Sequence, residues 1–419
     1  MGAPFNTLSR CAASRCTASA GMISLGLASI TAGITAVIQT VAPHPAQAAT
    51  TTPEQPQTFL QWCESQASLP IPARRTISAA MNAVEATDCT QADAQLTSLR
   101  ALDLGQSNLT DLRPLSALTQ LTSLKLFGNQ ISDLSPLAGF TELTHLNLSH
   151  NRISDVSPLA GLTGLVNLDL AGNRIRDLTP LSNFEVLNDL NLLSNRVSNL
   201  EPISGLENLV WLELSANRIS EISPLAALTY LKHLGLASNR IQDVSGLTNL
   251  NWLQGLNLSN NLLEDISPLG EMVYLDALML GNNKISDATP LGKMDALVSL
   301  SLENNQLQDV APLGNLQALT QLNLSNNQLS SLASLAALTQ LSWLDLDSNQ
   351  VSDVSPLANL TELQFLDLSA NQISNIVAIS ALSVRNLQLH NNPITPEADA
   401  SVPDTLETNT SGTGIPAAE

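Results

Sequence analysis

The side chains of this chain best suited to proton transfer or metal ligation are scattered. His145, His150, His233 and His390 take strand-face or edge positions in the repeat described below. His145 and His233 stand four repeats apart, about 19 Å at one strand spacing per repeat, so they cannot share a metal or a triad. No phosphate loop, nucleophile elbow or His-Glu-x-x-His pattern occurs. The expectation is a chain that is not an enzyme and uses no cofactor.

Groups suited to recognition are better placed. Aromatic residues make up only 3 % of the chain, so where they fall is informative. Trp343 and Phe365 occupy one position in two neighbouring repeats, with Asp345, Asp347 and Asp367 beside them. Trp211 shares their row. Large aromatics on an otherwise small, polar sheet read as a binding hot spot, and the acidic rim suits a basic partner. The preceding residues of the row, Gly255, Ala277 and Ser299, are small and read as an open trough toward the pair. Incidental exposure is the alternative for the aromatics, and a calcium site is an alternative for the aspartates.

Two further rows recur with the same beat. Tyr230, Trp252 and Tyr274 fall together in three successive repeats, on the edge leading into the strand. They form either a cover for a local dip in the core or a stacked strip for a partner or a sugar. Arg152, Arg174, Arg196, Arg218 and Arg240, with Lys284 further on, form a basic row. Acidic residues follow three positions later, at Asp155, Asp177, Glu221, Asp243 and Asp287, which reads as a solvated ladder of weak ion pairs. A strip for an anionic ligand is the alternative.

What positions all of these is a 22-residue repeat. Leu146-Asn-Leu148-Ser-His-Asn151-Arg-Ile153-Ser-Asp155-Val156-Ser-Pro158-Leu159 repeats the segment beginning at Leu124. The beat is marked by Asn129, Asn151, Asn173, Asn195, Asn217, Asn239, Asn261, Asn283, Asn305, Asn327, Asn349 and Asn371. Ser107 holds the place in a degenerate first repeat and Asn392 closes the series, giving about fourteen repeats over residues 96–394. Leu-x-Leu alternates with period two and predicts a short strand, leucines inward. An asparagine at the following turn both donates and accepts, so stacked carboxamides can satisfy buried backbone groups from coil to coil. Ser-Pro-Leu predicts a serine N-cap and a short 3₁₀ turn, because 22 residues leave no room for an ordinary helix. The fold class expected is an α/β repeat solenoid, a horseshoe with a parallel concave sheet about 65 Å long and short helical turns on its convex side.

The motif running from Asn151 to Leu159 resembles the 22-residue leucine-rich repeats of bacterial internalins and of a regulatory subunit of type 1 protein phosphatase. The resemblance covers about 70 % of the chain, from Leu96 to Ile394. It implies protein binding on the concave face. No immunoglobulin-like cap or wall-sorting signal is read after Ile394.

The ends complete the reading. Residues 1–48 read as a signal peptide: Arg10 and Arg15, an uncharged run from Gly21 to Ala42, then Ala46-Gln47-Ala48 as cleavage site. An uncleaved anchor is the alternative; after cleavage no membrane span is expected. The expected location is outside the cytoplasm: secreted, periplasmic or at the cell surface. The formal net charge of −20 becomes −22 once Arg10 and Arg15 leave, which disfavours nucleic acid. Residues 49–57 read as a flexible leader and 58–95 as a helical N-terminal cap. Within that cap, helices are predicted over Thr58–Gln66 and Thr76–Ala86, with a third opening at Thr90-Gln-Ala-Asp93. Cys63 and Cys89, the two cysteines beyond the signal, are expected to form a disulfide tying the first helix to the end of the second. Residues 395–419 read as a cap turn followed by a disordered tail. The expected partner is a protein, with a glycan or a structural-spacer role as the other readings, and the chain is expected to be a monomer.

Overall fold

The computed structural model of the protein describes residues 57–395. The signal segment, nearly all of the leader and the tail from residue 396 lie outside them. Fourteen three-residue strands, numbered β1 (Ala101–Asp103) to β14 (Asn386–Gln388), form one parallel sheet in strictly sequential order. Each coil returns through a 3₁₀ turn of three or five residues, such as Ser135–Leu137 or Ser223–Ala227. The register is one repeat per step, Leu102 opposite Leu124 and Leu344 opposite Leu366. A three-residue strand has one inward position, and in every coil a leucine fills it and is buried. No coil encloses a core alone, so each layer of leucines is sealed only by its neighbours.

The asparagines join the layers. Asn239 Oδ1 accepts from the Ile219 amide of the preceding coil at 2.9 Å. Its Nδ2 donates to Leu214 O of that coil at 3.1 Å and to Leu236 O of its own at 3.0 Å. The pattern runs from Asn129 to Asn392. Where the chain leaves the strand, the residue before each asparagine is left-handed: glycine at Gly128 and Gly172, but Ala216, Ser238 and Asn260 among the others.

The 3₁₀ turns are capped differently from the expectation. The serine of Ser-Pro-Leu is the first residue of the turn, and makes no side-chain cap. The aspartate two residues earlier does so: Asp133 Oδ1 accepts from Ser135 N at 2.9 Å, and Asp243 Oδ1 from Ser245 N at 2.8 Å. A carboxylate reaches a backbone amide two residues on, where a serine at the turn itself cannot. The amide and hydroxyl of Ser245 hold the Asp243 carboxyl below its ordinary value, and the hydroxyl and amide of Ser355 do the same for Asp353.

At the N-terminal end, α1 (Phe59–Glu64), α2 (Ile71–Ala83) and α3 (Cys89–Ser98) cover the first coil. Thr58 and Gln61 form a reciprocal capping box on α1. α2 begins five residues before the expected Thr76, because Pro72 fits the first helical turn, where no N–H is needed. Asp88, not Thr90, caps α3. Cys63 and Cys89 are bonded, so the link runs from α1 to the start of α3 rather than to the end of the second helix. Thr76 Oγ1 donates to Asp111 O at 2.6 Å and Arg113 lies over the Trp62 ring, joining cap to coil.

Replacing Asn239 with Leu strands the Ile219 amide and two carbonyls, and should cost about 1–3 kcal/mol. Arg240→Ala, one residue away, should cost less than about 0.5 kcal/mol, as an exposed side chain without partners. Urea denaturation of the two variants checks this, and equal losses would contradict the ladder.

Candidate functional site

Position 1 of each three-residue strand points to solvent on the sheet face, and the one-repeat register sets such residues side by side. Trp343 opens β12 (Trp343–Asp345) and Phe365 opens β13 (Phe365–Asp367), paired directly. Their rings stack with centroids 5.0 Å apart and planes 8° apart, both half-buried. Trp211 opens β6 (Trp211–Glu213), six strands away, and is not brought near them. It borders instead a shallow trough of about 400 Å³ with Lys125, His145, Asn167, Asp189 and Asn191.

The trough expected ahead of Trp343 is not simply open. The His233 ring leans over Gly255, leaving no room there for a larger side chain without a shift. The Glu213 carboxylate sits over Gly235 in the same way.

The third strand position has a second duty that sequence reasoning missed. In nine of the fourteen strands its Asp, Asn or Glu accepts from the backbone amide two residues on. Asp345 Oδ1 takes Asp347 N at 3.0 Å, and Asp367 Oδ1 takes Ser369 N at 2.9 Å. Recurrence of Asx at this position, just before a tight turn, was the available signal. Each aspartate keeps one oxygen free of that bond. Burial pushes the Asp345 carboxyl up to about 6; the Asp347 amide opposes this, and the charges of Asp367, Asp347 and Glu303 add to it. Among the described residues, no group of three or more His, Cys, Asp or Glu is arranged to hold a metal ion.

On the edge leading into the sheet, Tyr230, Trp252 and Tyr274 are 60, 62 and 62 % exposed, so they do not cover the core. Trp252 and Tyr274 stack at 6.1 Å and 11°. The basic row on the other edge also departs from expectation. Among the described residues, Arg152, Arg174, Arg196, Arg218 and Arg240 form no ion pair; the four that occur involve Arg113, Lys125, Lys284 and Lys293. The acidic row that was to pair with them caps the turns instead: Asp155 and Asp177 take the amides of Ser157 and Thr179.

The sequence profile for leucine-rich repeats (two copies) matches residues 97–139, 141–183, 207–249, 229–271, 295–337 and 339–383. The chain belongs to the leucine-rich-repeat family, a scaffold for protein interaction. Within that class it is internalin-like. The crystal structure of an internalin, InlF, from Listeria monocytogenes is similar at 34 % identity with a TM-score of 0.71, covering 76 % of this chain and 96 % of that one. The functional domain of InlJ from the same organism shares the fold at 22 % identity and a TM-score of 0.66, over 83 % of this chain and 78 % of that one. A leucine-rich-repeat protein of Leptospira interrogans does so at 22 % identity and 0.63, over 75 % and 97 %. No curated protein matches the chain. Among the described residues, no helix is long and apolar enough to cross a membrane.

The raised Asp345 value gives a signed prediction. The folded chain binds this proton more tightly than the unfolded chain, whose value is 3.8. The linked stability is therefore intact below that value, falls as pH rises, and is lost above about 6. Asp345→Asn should remove this slope. In urea, the variant's midpoint relative to the parent should rise between pH 4 and pH 7; a constant difference would mean the carboxyl is not desolvated.

Proposed function

We propose that the chain is an exported, non-catalytic scaffold that holds a protein partner on its concave sheet, centred on Trp343 and Phe365. The observation that carries this reading is the stacked pair on the solvent face of the sheet. Two rigid rings already fixed against each other lose little freedom when a partner covers them, and flat apolar area of this kind dominates binding energy. Asp345, Asp347 and Asp367 border the pair with negative charge and favour a basic partner. A partner reaching Trp211 as well would have to span about 29 Å of sheet. The internalin-like scaffold supports a protein partner, and the chain's acidity argues against nucleic acid. The chain is taken to act as a monomer.

Export rests on the N-terminal arginines, apolar run and Ala46-Gln47-Ala48, and the Cys63–Cys89 bond suits an oxidising compartment. Intact-mass measurement of the exported protein should find Ala49 at its N-terminus; a retained Met1 in a membrane fraction would make it an anchored protein.

A second reading is a glycan partner on the edge strip. It is favoured by the high exposure of Tyr230, Trp252 and Tyr274, which present flat faces of the kind sugars stack on. Screening the chain against secreted proteins and glycans supplies the ligand. Trp343→Ala should then weaken binding by at least about 2 kcal/mol with little loss of stability. If Trp252→Ala weakens it and Trp343→Ala does not, the edge strip is the recognition surface and the concave assignment fails.

A further inference from the structure

We propose that the edge of the solenoid carrying Arg152, Arg174, Arg196, Arg218 and Arg240 is a docking strip for a single chain of an acidic polysaccharide, separate from the concave face. Each arginine follows the ladder asparagine of its coil, so the five stand on successive coils at one strand spacing, about 4.8 Å. All five side chains are exposed, and among the described residues none makes an ion pair or a side-chain hydrogen bond. This is a row of unpaired positive charge on a chain of net charge −20.

The remaining cation of this row does have a partner. Lys284 occupies the same place in a later repeat, and its Nζ meets Glu264 of the preceding coil at 3.0 Å. Gln328 and Gln308 bond across the same pair of positions at 3.1 Å. In these two pairs the partner stands twenty places earlier, whereas Gln130 bonds to Asn108 of the row itself. For the five arginines the residue twenty places earlier is Ser132, Ser154, Arg176, Ser198 or Ser220. None is acidic, and Arg176 adds a sixth guanidinium beside Arg196. In the row one residue further along, Asp133, Asp155 and Asp177 each accept a turn amide, Asn199 is neutral, and Glu221 makes no ion pair with Arg240. The carboxyls of Asp155 and Asp177 are held low by bonds to Ser157 and Thr179, not by an arginine.

The form of the strip selects the occupant. It is one side chain wide, and the capping aspartates lie on its convex side. A nucleic-acid duplex or a flat anionic membrane would bring further negative charge onto them, whereas one thin chain would not. An extended peptide rises about 3.3 Å per residue, so its acids fall out of step with the coils. Stacked nucleotides, with a charge about every 3.4 Å along a strand, do so too. A pyranose in an extended glycan advances by close to one strand spacing and turns about the chain axis from sugar to sugar, so a carboxylate or sulfate faces the strip at a small multiple of the coil spacing. Screening confines each charge to about 8 Å at physiological salt, so the strip attracts locally despite the chain's overall acidity.

The probes are polygalacturonate and dextran sulfate, with neutral dextran, oligo(dT) and phosphatidylserine vesicles as controls, titrated calorimetrically into the full chain. Both acidic glycans should bind in a salt-dependent manner, and the controls should not. Arg196→Gln with Arg218→Gln should weaken binding at least about tenfold. Ser154→Glu with Ser198→Glu leaves every arginine in place and supplies the partners that Glu264 supplies to Lys284; it should weaken binding as much. Lys284→Gln should leave binding unchanged, and unchanged thermal melting of each variant excludes misfolding as the cause. Failure of both acidic glycans to bind, binding indifferent to the arginine and serine variants, or equal binding of oligo(dT) or vesicles would overturn the proposal. Loss of the concave site through Trp343→Ala should not affect these titrations, so the two readings fail separately.

Discussion

A coil of 22 residues with three in a strand has no interior of its own, and the buried carboxamide at the end of each strand is what lets coils join. Every layer must turn sharply while its backbone is still buried, and a buried amide or carbonyl without a partner is more costly than most packing faults. The asparagine answers this with one oxygen toward the preceding coil and one nitrogen shared between two coils. Because the bonds to Ile219 N and Leu214 O cross between coils, the asparagine also sets the one-repeat register. The strand pairing, the buried leucines and the alignment of every outward row follow from that register. The left-handed residue before each asparagine is the local strain accepted to aim it.

The register also turns sequence spacing into surface geometry. One substitution in a repeat is a point on the surface; the same position altered in neighbouring repeats is a line. The stacked pair on the sheet, the exposed aromatic strip on one edge and the arginine strip on the other are three such lines. They differ in how far the scaffold has used the side chains involved. Asp345 and Asp367, beside Trp343 and Phe365, each give an oxygen to the turn that follows, so scaffold and recognition share them. The arginines share nothing with the scaffold.

Stability depends on proton binding in two opposite senses. The capping aspartates on the convex side are ionised and hydrogen-bonded, so their contribution is present above their unfolded value and is lost as pH falls through the folded one. Asp345 is desolvated among like charges, and its contribution runs the other way. The difference arises from place in the coil: an exposed turn amide stabilises a carboxylate, and a half-buried row of acids does not.

The sequence by itself determined the solenoid, the number of coils, the inward leucines and the adjacency of Trp343 with Phe365, since periodicity is a one-dimensional property and a strict repeat leaves one register. Its resemblance to internalins pointed to the same scaffold. What it did not determine was which polar groups bond to which. Ser135 and Asp133 are both good caps by type; only the folded turn put the aspartate oxygen against the amide. Asp155 and Arg152 are three residues apart and opposite in charge, yet the carboxylate bonds to Ser157, and among the described residues the arginine makes no ion pair. The start of α2 at Ile71 and the shading of Gly255 by His233 belong to the same class. Apolar burial is set by pattern because it has no direction, whereas hydrogen bonds and ion pairs depend on distances of a few tenths of an ångström that only the three-dimensional chain supplies.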